Sequence, residues 1–144
     1  MPRNGGTKVL ALPLRGGCAC GQIRYEITVA PIDAGYCHCG LCRLTTGAVM
    51  LAWATVPIDG ITYVAGEPSV YPSSEWGERR FCPTCGAQFE YRAQKNPKIV
   101  DVNIGTLDHP ELVPPASHVW VEDEVSWLHI DDHLPRYLGQ GPDP

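Results

Sequence analysis

Hydrophobic and polar residues alternate over short segments of this chain, which is typical of β-strands with one buried face. Residues 23–29 give the clearest alternation, and a continuous apolar run over residues 49–56 indicates a strand buried on both faces. Further strands are predicted at residues 61–64, 69–71, 79–81, 88–91, 99–103 and 119–121. No segment longer than about ten residues keeps apolar positions at helical spacing, so few or no long helices are expected.

Turn-forming residues separate the predicted strands. The 15 glycines and 14 prolines are scattered along the chain, as at Asp59-Gly60. The 144 residues suit one domain, and neither an internal repeat nor a linker divides them. We therefore expect a mostly β fold of several small sheets in a single domain over residues 14–138. An N-terminal extension over residues 1–13 and a frayed tail over residues 139–144 would flank it.

The composition is that of an ordinary globular protein, with 44% apolar and 19% charged residues. A net charge of −5 opposes nonspecific attraction to nucleic acid or anionic membranes, so neither is expected as a partner. The apolar stretch near the amino terminus is too short for a signal peptide, and no run reaches transmembrane length. A cytoplasmic location is expected, and in that reducing compartment clustered cysteines bind metals more often than they form disulfides.

The seven cysteines fall into three clusters, and two of these clusters have the features of a zinc knuckle. In each of the two, a cysteine pair is followed directly by a glycine, Gly21 or Gly86, which can take the positive φ that a chain reversal around a metal needs. We predict one zinc site with four thiolate ligands from two distant segments. Four thiolates saturate zinc, so this site would be structural. Its ligands would be Cys18, Cys20, Cys82 and Cys85.

The middle cluster of the chain places Cys37, Cys39 and Cys42 within six residues. Zinc held by three thiolates keeps one coordination position open to water, to His38 or to a substrate thiol. A thiol bound there ionises more readily, which favours its addition to an aldehyde or the reverse cleavage of a carbon–sulfur bond. Two alternatives stay open: a fourth ligand from elsewhere would make a second structural site, and the thiols could be redox-active without metal.

Several other residues bear on this site. His118 is expected to be a hydrogen-bonded structural residue, or a proton shuttle if it faces the second zinc. Among the cations, Arg43 is the candidate for binding a substrate carboxylate, because it directly follows Cys42. Trp53, Trp120 and Trp127 are expected to fill the core.

With these clusters, the sequence resembles the glutathione-dependent formaldehyde-activating enzyme family, which also includes centromere protein V. The resemblance extends over roughly residues 14 to 137. It is carried by residues 17–26, residues 37–43 with Thr46-Gly47, and residues 81–86; residues 105–108 and 118–120 are weaker later matches.

The resemblance implies a fold of several short, coiled antiparallel sheets that a four-cysteine zinc site holds together. It also implies that a second zinc on the Cys37, Cys39 and Cys42 cluster is the catalytic centre. The reaction implied there condenses glutathione with formaldehyde to S-(hydroxymethyl)glutathione, which makes the protein a carbon–sulfur lyase with a thiol and a small aldehyde as substrates. The alternative is a non-enzymatic zinc module for a protein or small-thiol partner.

Overall fold

The computed structural model describes residues 10–144 and confirms a mostly β architecture. The predicted N-terminal extension lies largely outside the described residues. One seven-residue helix, α1 (Gly40–Thr46), is present in residues 10–144. The strands are β1 (Leu14–Gly17), β2 (Arg24–Ile27), β3 (Asp33–Cys37), β4 (Leu51–Pro57), β5 (Ile61–Ala65), β6 (Ser69–Ser74), β7 (Gly77–Phe81), β8 (Gln88–Ala93), β9 (Ile99–Asn103) and β10 (His118–Val119).

The strands form two sheets. A three-stranded antiparallel sheet has the order β1-β2-β5. A seven-stranded sheet has the order β10-β3-β4-β9-β8-β7-β6, and its pairings are antiparallel except the one between β10 and β3. The chain therefore forms two small, mainly antiparallel sheets, in agreement with the fold class that the cysteine clusters and strand pattern indicate.

The hydrophobic core lies between the two sheets. Tyr25 and Tyr63 of the small sheet pack edge-to-face against Phe89 of the large sheet, with ring centroids 6.0 Å apart in both pairs. Aliphatic residues of both sheets complete the same buried cluster. Burying these side chains supplies the main stabilisation of the fold, because each removes a large apolar surface from water.

The other face of the large sheet carries a row of polar and aromatic residues. Strand register places these residues side by side on β3, β4, β9, β8 and β7. Thr55 and Asp101 alternate with core residues of their strands, so they face away from the core. An irregularity in the pairing of β7 with β8 puts Tyr91 on that same face although Phe89 faces the core. We call these side-by-side residues the floor row: Asp33, Thr55, Asp101, Tyr91 and Arg79.

Several expectations from the pattern need correction. The predicted strand over residues 119–121 is wrong, because β10 ends at Val119 and Trp120 takes a left-handed conformation with φ of 57°. Trp127 does not fill the core, since it is 67% exposed. The short strands β1 and β3 escaped the pattern analysis, because glycines interrupt both.

The C-terminal segment contacts the domain. The Gly139 carbonyl accepts a hydrogen bond of 2.8 Å from the Trp120 amide, and Lys95 Nζ donates to Gln140 Oε1 at 3.2 Å. These contacts place residues 139 and 140 beside the turn after β8 and the segment after β10. No helix within residues 10–144 combines the length and apolar character needed to cross a membrane.

Candidate functional site

The first and third cysteine clusters converge on one point in the structure. The sulfurs of Cys18, Cys20, Cys82 and Cys85 all lie within 4.8 Å of one another. Cys20 Sγ is 3.4 Å from Cys18 Sγ and 3.7 Å from Cys82 Sγ. A tetrahedron with zinc–sulfur bonds of about 2.3 Å needs sulfur separations of about 3.8 Å. The four donors therefore suit a metal ion of zinc's size and preference.

Local backbone geometry explains why the two pairs can converge. Gly21 and Gly86 have φ values of 79° and 80°, the left-handed conformation that their positions predicted. In each loop a backbone amide also points at a sulfur, from Ile23 to Cys18 Sγ at 3.4 Å and from Cys85 to Cys82 Sγ at 3.5 Å. These amides would stabilise thiolate ligands, because they place partial positive charge beside each sulfur.

The middle cluster forms a separate group. Cys37 ends β3, Cys39 is the N-cap of α1, and Cys42 lies in the first turn of that helix. Their three sulfurs lie within 4.8 Å of one another, and no fourth cysteine, histidine or carboxylate among residues 10–144 joins them. The Cys42 amide donates to Cys39 Sγ at 3.3 Å. All seven cysteines are free rather than joined in disulfides. We call this group the sulfur triplet.

Arg79 brings a positive charge to the sulfur triplet. Its Nη2 donates to Cys42 Sγ at 3.7 Å, although the residue is only 5% exposed. Its Nε donates to Ser73 Oγ at 3.2 Å, and its guanidinium carbon lies 4.9 Å from the centroid of the Tyr91 ring. Hydrogen bonds from the Cys37 and Cys42 thiols lower the pKa of Cys39, and the charge of Arg79 lowers it further. One negative charge, on Cys39, is thus favoured, whereas the hydrogen bonds to Cys39 and Cys42 raise the pKa of Cys37.

The histidines near the triplet face away from its sulfurs. His38 lies between two triplet cysteines, but its Nε2 is 2.8 Å from His118 Nδ1, and His118 Nε2 is 2.7 Å from Asp132 Oδ2. Both histidines are fully buried, and burial lowers the pKa of His38. His38 therefore does not join the sulfur triplet, and His118 contacts His38 and not the sulfurs.

A cavity of about 1230 Å³ opens in front of the sulfur triplet. The floor row forms its base, and Trp53, Trp76 and Trp120 contribute aromatic walls. A volume of this size exceeds what one formaldehyde molecule needs and is somewhat above the typical range of small-molecule sites. The expectation that Trp53 and Trp120 fill the core is therefore wrong, because both border the cavity and neither belongs to the buried core cluster.

Arg43 and Arg79 differ in their position relative to the cavity, a difference that the sequence could not predict. Arg43 is exposed on α1 and is not part of the cavity wall, whereas Arg79 and Lys95 are basic residues that line it. The role of Arg43 toward a carboxylate stays a prediction. Sequence reasoning gave Arg79 no special weight, because only strand register places it beside Tyr91 and opposite the helix that carries Cys42.

Two mainly antiparallel sheets, a four-sulfur group and a separate sulfur triplet at a cavity define a mostly β cysteine-cluster protein with two candidate metal sites. The family model described as glutathione-dependent formaldehyde-activating enzyme matches residues 13–123, and the chain belongs to this family.

Two relatives place the match in context. An uncharacterised lyase of Schizosaccharomyces pombe is 27% identical over 88 residues, which is 60% of this chain and 64% of that protein, so the match spans less than two thirds of the relative. A crystal structure of a Rhodobacter sphaeroides protein is 26% identical, with a TM-score of 0.56, and covers 71% of this chain and 97% of that one.

Proposed function

We propose that this protein is a zinc-dependent carbon–sulfur lyase. It would add a small thiol, glutathione or a similar compound, to formaldehyde or another small aldehyde, and would also catalyse the reverse reaction. Family membership and the lyase name of the yeast relative support this assignment. The observation that carries it is the position of the sulfur triplet at the wall of a large cavity.

The two sulfur groups divide the roles. The four-cysteine group joins the loop between β1 and β2 to the loop between β7 and β8, so a zinc ion there would cross-link the two sheets. The sulfur triplet has three donors, and its chemistry suits zinc equally well. When bound at the triplet, zinc would lower the pKa of an incoming thiol and favour its thiolate form.

The chain's own residues would prepare the site for a charged sulfur. Arg79 contacts Cys42 and offsets the negative charge that three thiolates accumulate. Ser73 and Tyr91 hold the guanidinium in place, so little reorganisation is needed when the charge changes. The aromatic walls formed by Trp53 and Trp120 would limit the access of water to a bound adduct.

The reaction is balanced without a further reactant. The thiol sulfur forms a bond to the carbonyl carbon, the carbon–oxygen π bond breaks, and the thiol proton ends on the oxygen as a hydroxyl group. The reverse reaction returns that proton to sulfur as the carbon–sulfur bond breaks. Because the uncatalysed reaction also occurs, the enzyme would be detected by the rate of exchange and not by a change in equilibrium.

Two-dimensional exchange NMR on a mixture of glutathione, formaldehyde and their adduct tests the proposal. Zinc-loaded protein should accelerate exchange, and Cys39→Ser should abolish the acceleration while its circular dichroism stays that of the wild type. Elemental analysis should find two zinc ions per wild-type chain and one per Cys39→Ser chain. Thiol binding without accelerated exchange, tested also with other aldehydes, would instead identify a non-enzymatic thiol-binding module.

A further inference from the structure

We propose that the preferred aldehyde of this protein carries an apolar group, which binds to apolar side chains beside the sulfur triplet. This inference rests on the proposed function and names the class of its second substrate, while the thiol stays glutathione or a similar compound. The bonds that form and break are those of the addition described above, with a hydrocarbon group in place of one hydrogen of formaldehyde.

The strand neighbours of Cys37 are apolar. Register pairs Cys37 of β3 with Leu51 of β4 on one side and with Val119 of β10 on the other. Directly paired residues of neighbouring antiparallel strands have Cβ atoms about 5 Å apart on the same face of the sheet. Leu51 and Val119 both line the cavity. The hydrocarbon group of an adduct would stand two bonds from the thiol sulfur, so these two side chains would be within its reach.

Trp53 extends this apolar surface along the sheet. It lies two residues from Leu51 on the same face of β4, which is about 7 Å along the strand. Register pairs Trp53 with Gly35, where a side chain would lie 2.8 Å from Trp53 Cζ2. The indole therefore lies against β3 at a position that only glycine leaves open, two residues from Cys37. A chain of several carbons attached beside the sulfur could reach this ring.

Helix α1 contributes a further apolar residue to the cavity. Leu41 directly precedes Cys42, lines the cavity and is 38% exposed. The adduct of formaldehyde carries only a hydroxymethyl group on its sulfur, so it would leave Leu41, Leu51 and Trp53 in contact with water. A longer hydrocarbon group would cover them, and each methylene that is fully buried favours binding about fourfold. We call Leu41, Leu51, Trp53 and Val119 the apolar wall.

The carboxylates of the cavity lie farther from the triplet than the apolar wall. Asp33 is four residues from Cys37 on β3, which is about 13 Å along the strand. The polar side chain nearer to the triplet on the sheet is Asn103, which is paired with Trp53 and whose Nδ2 donates to the Gln88 carbonyl at 2.9 Å. The surface next to the reacting atoms is therefore mainly apolar, whereas the polar part of the cavity begins beyond it.

Exchange NMR with a matched pair of aldehydes tests the inference. Propanal and glycolaldehyde have the same number of heavy atoms, but propanal ends in a methyl group where glycolaldehyde has a hydroxyl. Dividing each catalysed exchange rate by its uncatalysed rate removes the difference in intrinsic reactivity. With glutathione and zinc-loaded wild-type protein, this enhancement should be about fourfold greater for propanal than for glycolaldehyde. An enhancement that is equal, or greater for glycolaldehyde, would overturn the inference.

Calorimetric titration with S-methylglutathione and S-hexylglutathione gives a second measurement, independent of catalysis. These thioethers do not react and differ only in the length of the hydrocarbon group on sulfur. S-Hexylglutathione should bind zinc-loaded wild-type protein at least about tenfold more tightly. Trp53→Ala should lower the ratio of the two affinities about fivefold, because it removes the largest apolar surface of the wall. Leu41→Gln, at a half-exposed helix position outside the core, should act in the same direction. Trp127→Ala, at an exposed residue outside the cavity wall, should leave the ratio unchanged.

The outcomes separate this inference from the proposed function. If exchange with formaldehyde is accelerated but S-hexylglutathione binds no more tightly than S-methylglutathione, the aldehyde class is wrong and the lyase assignment stands. If Trp53→Ala and Leu41→Gln weaken both thioethers equally, the apolar wall contacts the tripeptide and the inference is again wrong. If no aldehyde shows accelerated exchange, the proposed function fails and the inference fails with it. A cooperative melting transition in each variant verifies that the fold is retained.

Discussion

His38 Nε2 lies 2.8 Å from His118 Nδ1, directly behind the loop that carries the sulfur triplet. Both rings are fully buried and stacked with centroids 5.1 Å apart. The His38 amide also donates to the Val119 carbonyl at 3.1 Å. His38 stands between Cys37 and Cys39 in the chain. Its contacts with His118 and with the Val119 carbonyl therefore also fix the backbone that positions the sulfurs of these two cysteines. The pair thus supports the site from outside the cavity.

Replacing His118 with Asn should therefore loosen the triplet. A shorter side chain leaves buried polar atoms of His38 without a partner, which costs about 1–3 kcal/mol of stability. We expect a lower melting temperature and weaker binding of the second zinc, measured by competition with a chromophoric chelator. His109→Asn, at a residue whose side chain is 72% exposed, is the matched control and should change neither. Unchanged zinc affinity in His118→Asn would show that the histidine pair only fills space.

Removal of metal from the four-cysteine group should destabilise the whole domain. Structural zinc contributes about 10–16 kcal/mol in zinc-finger peptides, and a small domain has less stability than that to lose. Exhaustive chelation should abolish near-UV circular dichroism, and Cys82→Ser should have the same effect, because Cys82 is fully buried. Cys39→Ser is the comparison variant and should keep the fold. A chelated protein with an unchanged melting curve would contradict a structural metal.

Arg79 should strengthen the binding of zinc at the sulfur triplet and should not affect the binding of zinc at the four-cysteine group. Its guanidinium offsets the charge of the triplet, so Arg79→Gln should raise the dissociation constant of the second zinc about tenfold, the effect of one charge-assisted hydrogen bond. Arg79→Lys keeps the charge but cannot contact Ser73, Tyr91 and Cys42 together, so partial loss is expected. Arg43→Gln, measured alongside, tests the sequence prediction for that exposed residue. Equal losses at both positions would remove the special role of Arg79.

Asp101 should make stability depend on pH in an unusual direction. Burial raises its pKa above the ordinary value of 3.8, so its ionised form is less favourable in the folded than in the unfolded protein. This penalty is absent below pH 3.8 and is complete once the pH exceeds the raised pKa. Asp101→Asn removes it, so the melting temperature of the variant relative to the wild type should be higher at pH 7 than at pH 4. Asp59→Asn should show no such difference, and a difference of opposite sign would contradict the burial argument.

The grouping of the cysteines in the sequence matches the two sulfur groups in the structure, because the spacing within each cluster is local. Cysteines one or two residues apart can point at one ion without help from the fold, and the glycines at positions 21 and 86 have the predicted positive φ. The alternation of side chains likewise predicted most strands, including β9 over its full length. Three elements were hidden: β1 and β3, which glycines interrupt, and α1, which is too short to show periodicity. At Gly35 a side chain would lie 2.8 Å from the Trp53 ring, so packing and not strand propensity selects glycine there.

The sequence by itself determined the mostly β fold class, the three cysteine clusters and the family. Tertiary structure alone decided which side chains share the cavity with the sulfur triplet. Arg79, Asp101 and Asp33 come from strands far apart in the chain, and only the register of the seven-stranded sheet brings them into one row. Register depends on pairing between whole strands and on the packing of one face against the core, so it is a property of the assembled sheet and not of any short segment.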